Sequence, residues 1–134
     1  MKIPLYQVDA FTSKIFNGNP AAVCPLEDWI DDDTMQKIAQ ENNLSETAFF
    51  VKNKSEFDIR WFTPISELDL AGHPTLATAH VIIEELNFKS DKIIFKTKIG
   101  DTLNVTKKNN LFLMDFPSRP PKIYDNIELV SDAL

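Results

Sequence analysis

One glutamate, Glu46, lies among apolar residues in a stretch that alternates as a β-strand. The stretch covers residues 44–51, and its alternation places Leu44, Glu46, Ala48 and Phe50 on one face. Burial of a carboxylate favours its protonated form, and such a carboxylate is an effective general base near neutral pH. We therefore predict Glu46 as a catalytic acid or base. The alternative is a glutamate at a strand end that reaches water.

An apolar segment after His73 predicts a buried central helix. Residues 76–83 contain only two polar residues, Thr78 and His80, so the segment is too apolar to form a surface helix with one wet face. Pro74 suits the first helical position, and the helix is expected to begin at His73 or Pro74 and to end near residue 86.

The start of this helix is the second place that could do chemistry. Gly72 supplies a permissive backbone before it, and His73 stands where Ser, Asp or Asn usually caps a helix. The free N–H groups of a buried helix start favour an anionic ligand. His73 is therefore predicted to hold an anionic group or to shuttle a proton. The alternative is a loop histidine packed against the helix.

Four other features have more ordinary explanations. His80 follows His73 by seven residues, about 10 Å along a helix, so the two cannot share a metal ion. His80 is therefore expected to pack in the core or to support the residues of the site. The turn at residues 17–20 could present N–H groups to a carboxylate, or it could only reverse the chain. Cys24 is predicted to pack in the core. The acidic residues 31–33 are better explained as a helix cap than as a metal site.

Length and composition predict one acidic domain with a single hydrophobic core. The chain has 134 residues, 43% of them hydrophobic, and a formal net charge of −6. This charge lacks the basic surplus that nucleic-acid binding requires, so nucleic acid is not expected as a partner. One cysteine permits no intrachain disulfide, and no apolar run reaches the length of a membrane span. We expect a cytoplasmic protein that does not bind membranes.

Several strands around one buried helix predict an α+β domain. Strands are predicted in residues 5–11, 21–24, 44–51, 57–63, 92–98, 102–106 and 111–116, with a short helix from 31 to about 41 and a link at 65–70. The proline-dense segment after 117 resembles a linker, and residues 127–134 begin another element. We therefore expect a domain at 1–117, with the linker and the start of a missing second lobe in 118–134.

Four motifs in order resemble the first half of the phenazine-biosynthesis PhzF-like family. They are GNPAAV at 18–23, ENNLSETAF at 41–49, RWFTP at 60–64 and ELDLAGHPTLA at 67–77. The resemblance implies a diaminopimelate-epimerase-like fold of two pseudo-symmetric lobes. Each lobe is a curved mixed β-sheet wrapped around a central helix, and the active site lies in the cleft between the lobes.

The resemblance also implies a role for individual residues. Glu46 would be the acid/base residue of an isomerase that moves a proton between carbons of a small, carboxylate-bearing metabolite without metal or organic cofactor. Gly72 and His73 would hold the substrate, and Ser45 and Asn19 are assigned to the same substrate-binding group. The alternatives are an epimerase or racemase of the same fold, or a binding module that has lost catalysis; nothing here matches the paired cysteines of thiol-based epimerases.

Two departures from the family pattern bear on activity. Ala71 stands where the family commonly has cysteine, and Pro74 replaces a frequent alanine; both are compatible with a helix start. The second-lobe motif, with an Asp and a Gly-Ser pair that complete the cleft, is missing. We expect the chain to need a second lobe or a second copy of itself as partner, and to be poorly active alone.

Overall fold

A single mixed sheet of eight strands carries two helices in the computed structural model, which describes residues 1–123. The strands are β1 (Tyr6–Ala10), β2 (Asn19–Leu26), β3 (Glu46–Asn53), β4 (Glu56–Phe62), β5 (Glu67–Leu68), β6 (Lys92–Thr97), β7 (Thr102–Lys108) and β8 (Leu111–Asp115). The helices are α1 (Asp32–Asn42) and α2 (His73–His80), and α2 continues as a π-helical turn at Val81–Glu85. The element predicted in 127–134 lies outside the described residues.

The strand order brings several chain segments to one end of the sheet. The order is β1-β2-β3-β4-β6-β7-β8, and β5 pairs with the last residues of β4. The β2–β3 and β4–β6 pairs are parallel and the remaining pairs are antiparallel. One end of the sheet therefore contains the starts of β2 and β3 and the ends of β1, β4, β6 and β8. We call it the site end of the sheet.

Alternation along the strands separates two cores. The larger core joins residues of α2 and its π-helical turn with inward-facing residues of β2, β3, β4, β6 and β7, so the sheet must curve around the helix. A smaller core lies under α1 on the other face and includes Cys24, Met35 and Phe49. The predicted α+β architecture around one central helix is confirmed.

Helix α1 has the ends that its sequence predicts. The Asp31 carboxylate accepts a hydrogen bond from the Thr34 backbone N–H at 2.9 Å, which caps the first turn. Asn43 follows the helix in the left-handed region with φ 50°, and its N–H donates to the Ala39 carbonyl at 3.1 Å. This turn directs the chain straight into β3.

Helix α2 begins at His73, as predicted, but the cap position is Gly72 and not His73. Beyond His80 the helix widens: the Leu86 N–H donates to the Val81 carbonyl at 3.0 Å, a π-type bond. The sequence predicted an uninterrupted helix to about residue 86, because hydrophobic spacing does not distinguish the two hydrogen-bonding patterns.

The segment predicted as a link at 65–70 contains a strand. Glu67 and Leu68 pair with Phe62 and Trp61 of β4. A two-residue strand is too short to produce an alternating pattern, so the sequence did not reveal it. Within residues 1–123, no helix is both long enough and apolar enough to span a membrane.

Candidate active site

Three separate segments place polar side chains together at the site end of the sheet. Glu46 is the first residue of β3 and pairs with Ala21 of the parallel strand β2, while His73 is the first residue of α2. The Glu46 Oε2 atom lies 3.0 Å from Nε2 of His73, and the two side chains are 18% and 10% exposed. The predicted strand is confirmed from Glu46 onward, with the alternate residues Ala48 and Phe50 in the larger core; Leu44, predicted on the same face, lies before the strand begins.

Ser45 joins the glutamate and the histidine to the start of β2. Its Oγ lies 3.4 Å from His73 Nε2 and donates a hydrogen bond to Oδ1 of Asn19 at 3.2 Å. Within residues 1–123 no protein group donates a well-directed hydrogen bond to the buried Oε2 of Glu46. The His73 Nε2 atom lies 3.0 Å from that oxygen as an ion-pair contact, without an assigned hydrogen bond. This carboxylate oxygen is therefore free to accept a proton or a hydrogen bond from a ligand.

Gly18 fixes the backbone just before Asn19. Its φ is +78°, and a Cβ there would lie 2.2 Å from the carbonyl oxygen of Ala10. Only glycine fits this position, so the turn predicted at residues 17–20 is tightly constrained. The turn brings Asn19 into contact with Ser45 through its side chain; the predicted presentation of N–H groups remains a prediction.

The first turn of α2 opens toward the same cluster. No side chain caps it, and it contains no acidic residue. The Thr75 hydroxyl donates to the Ala71 carbonyl at 2.6 Å instead of capping the helix, which holds the loop around Gly72 in place. A Cβ built on Gly72 would have no neighbour within 4 Å, so the space beside it is open. An uncapped helix start beside open space suits an anionic group.

One residue that supports the site was not predicted. The Asn42 side-chain amide, in the last residue of α1, donates to Oγ1 of buried Thr47 at 3.1 Å. This bond ties the end of α1 to the second residue of β3. It therefore helps to fix which face of β3 carries the Glu46 side chain.

A cluster of ion pairs around the mostly buried Arg60 was also missed. Arg60 of β4 donates to both carboxylate oxygens of Glu67, at 2.6 and 2.9 Å, and to Asp32 at 2.8 Å. Its guanidinium lies 5.5 Å from the ring centroid of Trp29 and 5.2 Å from that of Phe62. The hydrogen bonds that Arg60 donates to Glu67 and Asp32 raise its pKa further above its usual range. Arg60 thus anchors β5, the strand that leads into the His73 loop.

The remaining candidates lie away from the cluster. Cys24 is buried on the α1 face, and burial raises the pKa of its thiol to about 12, which agrees with core packing. His80 packs edge-on against Phe112 of β8, with ring centroids 6.4 Å apart. Asp31 caps α1 as predicted.

Comparison with known proteins decides the family. Residues 8–131 match the sequence profile described as phenazine biosynthesis-like protein. The chain belongs to the phenazine biosynthesis-like family. The resemblance inferred from the four motifs is confirmed.

Relatives of the phenazine biosynthesis-like family share this fold and are longer. An uncharacterised isomerase of Pseudomonas aeruginosa is 50% identical over 122 residues, covering 91% of this chain and 47% of that relative. The crystal structure of an Enterococcus faecalis PhzF-family protein matches with a TM-score of 0.82 and 45% identity, over 96% of this chain and 50% of that one. A predicted epimerase of Pseudomonas aeruginosa matches with a TM-score of 0.67 and 25% identity, over 83% of this chain and 41% of that one. The chain therefore has the epimerase-like fold predicted for it and spans about half the length of these relatives.

Proposed function

We propose that the chain is one lobe of a PhzF-like isomerase, in which Glu46 moves a proton between two carbons of a small carboxylate-bearing metabolite. The observation that carries the proposal is the Glu46 carboxylate itself. It is mostly buried, and its Oε2 atom lies 3.0 Å from Nε2 of His73 without an assigned hydrogen bond within residues 1–123. A mostly buried carboxylate beside a histidine is placed to take up a proton from a ligand.

The proposed step is a redox-neutral proton shift. The Glu46 carboxylate takes a proton from a substrate carbon next to an electron-withdrawing group, and the resulting carboxylic acid returns a proton to another carbon. No electron donor or acceptor is consumed. The uncapped first turn of α2, with Gly72 and His73, would hold the substrate carboxylate and stabilise the negative charge that develops. Ser45 and Asn19 would complete the polar wall on the β2 side.

The whole reaction is proposed to need more than this chain. Proton transfer requires the substrate to be held within about 3 Å of the acid/base group. The described residues supply contacts from one side, and the relatives are about twice as long. We propose that a second lobe, or a second copy of this chain, provides the opposite wall.

Solvent deuterium incorporation tests this function directly. The 134-residue chain would be mixed with the second half of a phenazine biosynthesis-like relative in D₂O, together with small unsaturated or hydroxylated carboxylates. NMR then detects deuterium at the substrate carbons. Turnover is expected to be negligible for the chain alone and to appear when the second half is supplied.

The variant Glu46→Gln should then reduce incorporation by about 10²- to 10⁴-fold, the usual contribution of a general acid/base residue. Glu41→Gln is the matched control, because Glu41 lies exposed on α1 and makes the same chemical change. Incorporation that survives Glu46→Gln would refute the assignment of the base.

A further inference from the structure

The chain after β8 forms two ion pairs with loops at the site end of the sheet. Arg119 lies in the proline-rich segment that follows β8. Its Nη1 atom is 3.0 Å from Oδ2 of Asp69, and its Nη2 atom is 3.0 Å from Oδ2 of Asp101. Asp69 directly follows β5, and Asp101 belongs to the turn between β6 and β7. One guanidinium therefore joins the chain after the last strand to two separate loops.

The loop that begins at Asp69 carries the histidine of the candidate site. Only Leu70, Ala71 and Gly72 separate Asp69 from His73. The far end of this short loop is fixed, because the Ala71 carbonyl accepts the Thr75 hydroxyl. The backbone before Asp69 is held by the pairing of β5 with β4, but the Asp69 side chain is 62% exposed. Within residues 1–123, Arg119 is the ion-pair partner of the Asp69 carboxylate, so it adds a second restraint at the near end of the loop.

An arginine suits this position for a geometric reason. The planar guanidinium presents several N–H donors in a rigid fork, so it can reach carboxylates on two different loops at once. Hydrogen bonds to Asp101 and Asp69 raise the pKa of Arg119, which keeps the guanidinium charged. The two pairs together connect the chain after β8 to the loops that contain Asp69 and Asp101.

We infer that Arg119 is a positioning residue for His73: through Asp69 it holds the loop that sets the place of the imidazole beside Glu46. This inference rests on the proposed function only in taking His73 as part of the site. It also means that the proline-rich segment after β8 is linked to the site through the Arg119–Asp69 ion pair. A displacement of that segment is therefore expected to alter the position of His73.

Histidine NMR on the full 134-residue chain tests the inference, because the chain has only two histidines. His80 packs on Phe112, away from the cluster, and serves as the internal standard. Arg119→Ala and Asp69→Asn should each shift or broaden the ring nitrogen signals of His73 and leave those of His80 unchanged. Both variants should also accelerate amide hydrogen exchange at residues 70–73 by about two- to fivefold, the range expected for loss of an exposed ion pair.

Two control variants separate this route from general destabilisation. Asp101→Asn removes the other arm of the pair and should leave the His73 signals near those of the wild type. Lys122→Ala removes a cation from the same segment and should have no effect. If Arg119→Ala does not fold, Asp69→Asn decides the question, since it leaves Arg119 in place.

The inference is overturned if Asp69→Asn and Arg119→Ala lower the melting temperature but leave the His73 signals unchanged. It is also overturned if Asp101→Asn shifts His73 as much as Asp69→Asn does. No substrate is used, so a failed isomerase assay leaves this test intact, and a failed NMR test leaves the assignment of Glu46 to be judged by deuterium incorporation.

Discussion

Two glutamates begin strands at the site end of the sheet, and their hydrogen bonds give them different chemistry. Glu67 of β5 accepts two hydrogen bonds from Arg60 and one from Lys98 at 2.8 Å. These donors stabilise the charged carboxylate and lower the pKa of Glu67, with the Arg60 bond as the largest cause. The buried Oε2 of Glu46 lies 3.0 Å from Nε2 of His73 and has no assigned hydrogen bond among residues 1–123. Glu67 is therefore a structural anion, whereas Glu46 is the glutamate that we propose to exchange a proton with a ligand.

Glu67 should make stability depend on pH in a defined direction. Because its pKa in the folded chain is below the ordinary value of 4.5, its contribution is fully present above about pH 4.5 and is lost as the pH falls through the folded value. The free energy of unfolding of Glu67→Gln, measured in urea, should be well below that of the wild type at pH 7. The difference should shrink below pH 4.5. Glu41→Gln on the surface of α1 is the control, and a constant difference from pH 7 to pH 3 would contradict the prediction.

The sequence predicts the residues of the candidate site better than the residues that hold them in place. Glu46, His73 and Ser45 stand in motifs whose local patterns and family resemblance single them out, and the structure brings them together with Asn19 and Gly72. The ion pairs of Arg60 and Arg119 join residues whose proximity depends on how β4, β5 and the chain after β8 are arranged. No local pattern contains that information.

At the scale of elements, α2 and its π-helical turn contribute residues to the larger core. Ile82 is 0% exposed, and Ile65, in the loop before β5, is 88% exposed. Ile82→Ala should therefore lower the free energy of unfolding by about 2–5 kcal/mol, since it removes buried methyl groups and leaves a cavity.

Ile65→Ala makes the same chemical change on the surface and should alter the free energy of unfolding by less than about 0.5 kcal/mol. Urea denaturation followed by circular dichroism measures both variants. Equal effects of the two substitutions would show that α2 does not form the core of this lobe.

The elements that the sequence predicts are those with a clear period. The start of α2 follows from Gly72 and Pro74, and each of the seven longer strands overlaps an alternating or β-rich stretch. The two misses are β5, which is only two residues long, and the π-helical turn, which retains helical hydrophobic spacing. Strand β5 exists only through its pairing with β4, and the π-helical turn differs from an α-helix in its hydrogen-bonding pattern.

At the scale of the whole molecule, large apolar side chains are exposed at the same end of the sheet as Glu46. We call them the apolar rim: Phe11, Ile15, Phe16 and Ile65, which are 67%, 76%, 94% and 88% exposed. Phe11 and Phe16 also have positive φ values of 63° and 64°, an unfavourable conformation for bulky residues. Strained, exposed aromatic residues at the same end of the sheet as a candidate site favour a surface that another part of the protein covers.

The apolar rim gives a test of the two-lobe proposal that does not depend on knowing the substrate. Phe16→Ser should leave the stability of the isolated chain within about 0.5 kcal/mol of the wild type, because the ring is exposed. It should weaken binding of the second half of a phenazine biosynthesis-like relative by about 1–2 kcal/mol, since buried aromatic residues dominate such interfaces. Titration calorimetry measures the affinity, and analytical ultracentrifugation shows whether the chain instead pairs with itself.

Leu111→Ser is the matched control: Leu111 is 76% exposed but begins β8 at the opposite end of the sheet, so its loss should not change the affinity. Equal effects of the two variants, or full isomerase activity from a strictly monomeric chain, would show that the apolar rim is not where a second lobe docks.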